Sequence, residues 1–460
     1  MLRHRICPVF FLGFFLCSVS QAQSLPESPL FPPSGVHREA APSPLPHVQP
    51  VFEDVRFWIG RQPEPDKILL KMEEIEKVNR TDRLNDPEAV DIFSLAGRID
   101  SAFLRTILSG DQQRYGKGTF YDLTNRILSP DYFARLFSRM NLQGMPAVLK
   151  PLHGVTTHET NLRVLPSDDL VMDRPFDYAF DRFQSDRLDC GTVVTVLHYS
   201  ADRSWCFIET AHSRGWVRPN DLAIGTREEV MRFTAAKPLV ITGDSIPFYR
   251  DRELTQFVFD LPMGARLPFA GREGDACRVR LPWRDTGGSL VIVDGYVHCG
   301  AGVHEGYLPY TMAAVLRQAF KLRESRYSWG GLHEGRDCSR FIMDVFRCFG
   351  FQMPRDSYRQ AVFGGDRRVD VSERTESAKM KLLEQCPNAP TLLYMKGHVM
   401  LFLGVVDGRA YAIHSYWDYG PYDTPDLVYH VGKVAVSDLS LGKIGEGNLL
   451  QWITALIPLK

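Results

Sequence analysis

From His398 to Val406 the chain reads HVMLFLGVV, followed by Asp407-Gly408 and then by RAYAIHS, which carries His414. Two apolar runs separated by Asp-Gly spell a pair of antiparallel strands joined by a tight turn. The strand period of two makes this hairpin restrictive. With a two-residue turn and a regular ladder, Val406 faces Arg409, and His398 and His414 point to opposite faces. A three-residue loop or one bulge brings both imidazoles to the same face. An odd loop or a bulge between Val406 and Ala410 is therefore expected if the two histidines act together.

A nucleophile for such a pair lies upstream, in YSWGGLHEGRDCSRFIMDVFRCFGFQMPRDSYRQ, residues 327–360. Phe341, Ile342, Val345, Phe346 and Phe349 recur at helical spacing, and Gly350 stands where a left-handed cap would end the helix. Cys338 thus opens a helix, with Asp337 placed as its N-cap. Free N–H groups and the positive end of the helix dipole favour a thiolate there. Taken singly, Cys338 reads as an ordinary buried cysteine and each histidine as a satisfied structural residue. Together they supply a thiol, an imidazole to exchange its proton, and a second polar ring to orient that imidazole.

The 460 residues carry 54 Lys plus Arg against 55 Asp plus Glu, a net charge of -1. A near-neutral chain has little counterion-release attraction for nucleic acid or for an anionic membrane surface, so neither partner is expected. The length implies about three domains. Arg3, His4 and Arg5 precede an apolar stretch from Ile6 to Val19, and Ser20, Gln21 and Ala22 follow, the pattern of a cleaved secretory signal over residues 1–22. Phe14, Phe15 and Leu16 before Cys17 argue against lipidation. No later stretch has the ~18 uninterrupted apolar residues of a spanning helix, so stable membrane insertion is not expected and a periplasmic or secreted location is. Residues 23–50 hold eight prolines, from Pro26 to Pro50, and read as an extended linker. Removal of Cys7 and Cys17 with the signal leaves Cys190, Cys206, Cys277, Cys299, Cys338, Cys348 and Cys386, an odd set whose pairing spacing alone does not determine. Paired C-x-x-C and H-x-x-x-H patterns are missing, so no metal or other cofactor is expected.

Between Pro65 and Asn141, Ile68, Leu69, Met72, Ile75 and Val78, then Phe103, Leu104, Ile107 and Leu108, recur at three and four residues. This predicts helices over a segment, 51–151, whose expected role is a structural clasp or interface. The texture then changes to short β-branched runs broken by Gly, Asp, Asn and Pro, over 152–236 and again over 237–311, which predicts two small barrels. The first, with GTVVTVLHYSADRSWCFIETAHSRGWVRPNDL, resembles a bacterial SH3-like domain. The second is placed by position and by strands such as Leu290 to Val293.

YSWGG, GRDCSRF, MPRDS, GHVMLFLG and AIHS, in this order over residues 327–416, resemble the NlpC/p60 family of papain-like cell-wall peptidases. Two SH3-like barrels and a helical clasp ahead of them are similar to multidomain members. The resemblance implies an α+β multidomain fold with a papain-like catalytic domain over 312–460. It implies Cys338 as nucleophile, His398 as general base and acid, and His414 as the orienting group. Tyr327 and the N–H of Cys338 would line an oxyanion hole, each donor contributing about 3 kcal/mol. Asp337, Ser339, Asp356 and Ser357 match positions that line the groove for the L-Ala and D-Glu part of a stem peptide, while Asp337 as a cap and Asp356-Ser357 as a helix start are compatible roles. Arg340 departs from the family's small residue, and a cation there is placed to narrow the groove or to pair with a substrate carboxylate. The expected substrate is peptidoglycan or a murein stem peptide, cut between γ-D-glutamate and diaminopimelic acid. A recycling enzyme limited to free peptides with an L-Ala amine, an amidase or acyltransferase using the same thiol, and a non-catalytic wall-binding module are the alternatives.

Overall fold

The computed structural model describes residues 37–86, 89–95, 97, 99–363, 365–386, 389–420, 427–443 and 447–460. The expected signal, 1–22, and the linker as far as residue 36 lie outside the described residues. Among the described residues no helix is long and apolar enough to cross a membrane.

The C-terminal unit is α+β, with helices packed on a seven-stranded sheet. In spatial order its strands are His37–Ala40, Leu427–Asp438, Arg409–Tyr419, His398–Val406, Thr391–Met395, Ile453–Pro458 and Val369–Asp370. The first pair is parallel and the others are antiparallel. The helix Cys338–Arg347 is capped by the Asp337 side chain, which accepts from the N–H of Arg340, and it is buried from Cys338 to Phe346. Met312, Val315 and Leu316 of the helix Met312–Lys321 join Phe341, Ile342, Val345 and Phe346 in the same core as the central strands.

Part of the expected linker belongs to this unit. His37–Ala40 is the edge strand of the sheet, and Leu45, Val48, Phe52 and Trp58 are buried in the same core. The prolines bracket these apolar side chains without interrupting the short strand, which itself contains none. The Tyr411 hydroxyl donates to the His47 carbonyl at 3.0 Å, and the Trp58 indole donates to the Phe52 carbonyl at 2.7 Å.

The helical segment divides between two cores. Ile75, on the helix Met72–Asn85, packs with the C-terminal unit, whereas Leu104, Leu108 and Tyr115 of the helix Ala102–Lys117 join Phe133 and Leu136 of Pro130–Arg139 against Phe183, Trp205, Phe207 and Trp216. Those partners belong to a seven-stranded unit with strands from Leu152–Thr156 to Leu222–Gly225. A further seven strands, from Pro238–Ile241 to Val303–Glu305, form the next unit, where Cys277 and Cys299 are joined by a disulfide.

Buried ion pairs tie the units together. Arg340 does not enter the groove: it is wholly buried, its guanidinium bonding both oxygens of Asp189 at 2.5 and 2.7 Å, the Arg187 carbonyl at 2.7 Å and Asp344 at 2.7 Å. The large cation is accommodated because the first β-unit brings a carboxylate and a carbonyl to meet it. Arg336 also bonds Asp344, at 2.8 Å, and pairs with Asp244 of the second β-unit at 2.7 Å. Arg359 pairs with Asp86 at 2.6 Å. Removing one member of a buried pair strands its partner's charge in a low dielectric. Arg340→Ala is expected to destabilise the protein by about 3 kcal/mol, read as a lower denaturant midpoint. A loss below about 1 kcal/mol would mean that Arg336 and Arg347 satisfy Asp344 and Asp189 unaided.

Candidate active site

The hairpin of His398–Val406 and Arg409–Tyr419 solves the parity problem in an unexpected place. Val406 pairs with Arg409 and Val405 with Ala410, so Asp407-Gly408 is a two-residue turn and the interval Val406 to Ala410 holds no bulge. The ladder shifts by one between Phe402 and Gly404 instead. Beyond that shift Phe402 pairs with Ala412 and Leu401 with Ile413, which turns His398 and His414 to one face. Gly404 has φ 150°, a conformation costly for other residues, and a Cβ there would lie 3.5 Å from the Trp58 ring. Nε2 of His398 and Nδ1 of His414 are 2.6 Å apart, and Nε2 of His414 lies 2.7 Å from the Ser437 hydroxyl, all three groups being buried.

Cys338 is the first residue of its helix, and the N–H of Val399, next to His398, bonds its sulfur. It opens on a cleft of about 440 Å³ that also meets Tyr327, Asp337, Ser339, Asp356 and Ser357, so every groove residue expected from the motifs lines one space. Arg355 of MPRDS lines it too. Its guanidinium holds Asp337 at 2.6 Å, the Ser339 hydroxyl at 2.8 Å and Asp186 of the first β-unit at 2.6 Å.

The far walls come from outside the C-terminal unit. Ile107, Asp111, Arg114 and Tyr115 of the helix Ala102–Lys117 line the cleft, as do Arg182, Gln184, Phe207 and Arg214 of the first β-unit. The loop between the strands Thr160–Arg163 and Gln184–Leu188 delivers Phe180, whose ring lies 6.0 Å from Tyr327, 5.4 Å from Trp329 and 5.2 Å from Trp417. The glycines of YSWGG allow this approach. Gly330 (φ 60°) and Gly331 (φ 75°) sit so close to the strand Gln184–Leu188 that a Cβ would fall 2.5 Å from Gln184 and 3.0 Å from Arg187. The helix Ala102–Lys117 thus borders the cleft. Neither its lining residues nor Phe180 carried a sequence signal for the cleft, because the contacts join positions far apart in the chain. Among the described residues no cluster of His, Cys, Asp and Glu could hold a metal ion.

The electrostatics differ from the expected helix-tip thiolate. Burial and the neighbouring Asp337 carboxylate push the Cys338 thiol up to about 12, over the opposing N–H groups of Val399 and Ser339 and the charge of Arg355. Although burial pulls Asp337 upward, Arg355 and the N–H of Arg340 hold its carboxyl below the usual range. Burial pulls His398 down to about 4, the Asp337 charge only partly opposing it. His414 falls well below its ordinary value through burial and the nearness of His398. Tyr327 is raised well above its ordinary value by burial and then by the Cys338 charge, so it stays a hydroxyl donor. At rest, then, Cys338 is a neutral thiol and His398 a neutral imidazole.

The C-terminal unit is a papain-like α+β fold, with a cysteine at a helix tip and a buried histidine pair on the strands packed against that helix. Residues 324–420 match the NlpC/P60 family model and residues 173–218 the model for an SH3 domain of SH3b1 type. The chain carries an NlpC/P60 domain, the unit of a cell-wall-endopeptidase-like hydrolase family, behind an SH3b domain. Among solved structures, a novel NlpC/P60 endopeptidase from Photobacterium damselae subsp. piscicida is similar with a TM-score of 0.71 at 18% identity, over 88% of this chain and 96% of that one. An NlpC/P60 family protein from Bacillus cereus gives a TM-score of 0.46 at 16% identity, over 66% of this chain and 98% of that one. No curated protein sequence matches the chain.

A neutral resting thiol has a kinetic signature. Alkylation of Cys338 by iodoacetamide, followed by mass spectrometry of the Cys338 peptide, is expected to rise about tenfold per pH unit from pH 7 to 9 without a plateau. A rate already level below pH 7 would show that a thiolate–imidazolium pair forms before substrate arrives.

Proposed function

We propose that this chain is a cysteine endopeptidase of murein stem peptides that cleaves the bond between γ-D-glutamate and diaminopimelic acid. The observation that carries the reading is Cys338 at a helix tip, opening on a three-walled cleft, its helix packed on the two strands that carry the buried His398–His414 pair. The site is read as a nucleophile with its proton acceptor and orienter.

In this mechanism the Cys338 proton passes to Nδ1 of His398, the nitrogen that His414 leaves unused, as sulfur attacks the γ-carbonyl carbon. Burial keeps thiolate scarce at rest, so proton transfer accompanies attack rather than preceding it. The oxyanion accepts from the N–H of Cys338 and from the Tyr327 hydroxyl. Collapse breaks the C–N bond, His398 returns the proton to the departing amine, and a thioester stays on Cys338. Water, deprotonated by His398, then releases the acid. Asp337, Ser339, Asp356 and Ser357 line the acyl side, where Arg355 holds the Asp337 carboxylate and the Ser339 hydroxyl in position.

The substrate lies outside the inner membrane if residues 1–22 direct export, which favours a periplasmic or extracellular lysin acting on stem peptides in the polymer. Walls from three units favour a second reading, a recycling enzyme for short released peptides, because a glycan strand needs room that a free peptide does not.

Side-by-side digestion of intact sacculi and of L-Ala-γ-D-Glu-diaminopimelate tests both. The expected products of the tripeptide are L-Ala-D-Glu and free diaminopimelate, with Cys338→Ala slower by at least about a thousandfold. Soluble fragments from sacculi support the lysin, and turnover of the tripeptide alone supports the recycling enzyme. Cleavage at another amide moves the chain to the amidase reading, and unchanged lytic activity of Cys338→Ala would leave a wall-binding module.

A further inference from the structure

The histidine pair does not end the buried hydrogen-bond chain. Nε2 of His414 lies 2.7 Å from Oγ of Ser437, on the neighbouring strand Leu427–Asp438, where His414 pairs with Ala435 and Ala412 with Ser437. Ser437 is fully buried, and His414 is the hydrogen-bond partner of its hydroxyl among the described residues.

Two neutral imidazoles and one hydroxyl in this order have two self-consistent proton arrangements. In one, Nε2–H of His398 donates to Nδ1 of His414, and Nε2–H of His414 donates to Ser437. Nδ1 of His398 is then bare and can take the thiol proton. In the other, Ser437 donates to His414, His414 donates from Nδ1 to Nε2 of His398, and the proton left on Nδ1 of His398 blocks the transfer. Once His398 has accepted the Cys338 proton it bears N–H on both nitrogens, which requires the first arrangement. An acceptor at Nε2 of His414 is therefore needed when the imidazolium forms.

We propose that Ser437 is a positioning residue for the reaction under Proposed function, on which this inference rests. It accepts from Nε2–H of His414 and thereby holds both histidines in the tautomers that make His398 a base. It touches neither substrate nor the reacting atoms and acts through His414.

The test combines kinetics with nitrogen spectroscopy on the full chain. Ser437→Ala is expected to lower kcat on the tripeptide by about ten- to a hundredfold, the range expected for a stranded buried donor, with KM little changed. Because the lost acceptor stabilised the charged ring, the acid limb of the kcat/KM profile moves to lower pH. Ser437→Thr, which keeps the hydroxyl, is expected to recover most of the rate. In 15N-histidine-labelled wild-type protein the proton of His414 should sit on Nε2, and this signal should change in Ser437→Ala. A proton on Nδ1 of His414 in the wild type, or a Ser437→Ala enzyme with unchanged kcat and acid limb, overturns the proposal. The tautomer reading needs no turnover, so an enzyme inert on every murein peptide refutes the proposed activity while the nitrogen spectra still decide the role of Ser437.

Discussion

Four buried carboxylates and three buried guanidiniums hold the site in place. Asp337, Asp344, Asp186 and Asp189 face Arg336, Arg340 and Arg355, each within 2.8 Å of a partner, and the carboxylates come from both the C-terminal unit and the first β-unit. Charges this deep are tolerated only when paired, and separating the units would leave several of them stranded. The N-cap of the cysteine helix belongs to the set: Arg355 bonds Asp337 on one side and Asp186 on the other. The geometry at Cys338 is therefore not a property of the NlpC/P60 unit alone. It is completed by docking of the SH3b domain, whose Phe180 closes over Tyr327 and Trp417.

This dependence has an electrostatic side. Keeping Asp337 ionised next to Cys338 works against thiolate formation, the opposite of what a helix tip does by itself. The arrangement exchanges a reactive resting thiolate for a fixed cap. The imidazole pulled down to about 4 is then a weak base, and the polar chain behind it decides whether it can hold a proton at all.

Much of the C-terminal unit was legible because its signals are local. The capped, amphipathic cysteine helix, the Asp-Gly hairpin and the change from helical to strand texture each depend on neighbours within a few positions. The hairpin shows where locality ends. The face parity of the two histidines demanded an irregularity, and Gly404 within an apolar strand marks one, yet the turn drew the expectation to Val406–Ala410. Arg340 could not be understood from its surroundings in sequence, since Asp189 lies far upstream in another unit. Leu45 and Val48 were hidden among prolines, where composition suggested a tether, and they anchor the chain together with the strand His37–Ala40.

That anchoring also bears on how the molecule is made. His37–Ala40 borders the sheet alongside Leu427–Asp438, so the earliest described strand pairs with one of the last. During synthesis it waits without a partner while nearly everything else emerges, and such long-range closure is slow. A nascent or truncated chain lacking the C-terminal strands would leave this segment unpaired, and a chain cut after Ala40 would lay bare the Leu427–Asp438 edge, an invitation to aggregation that His37–Ala40 otherwise covers.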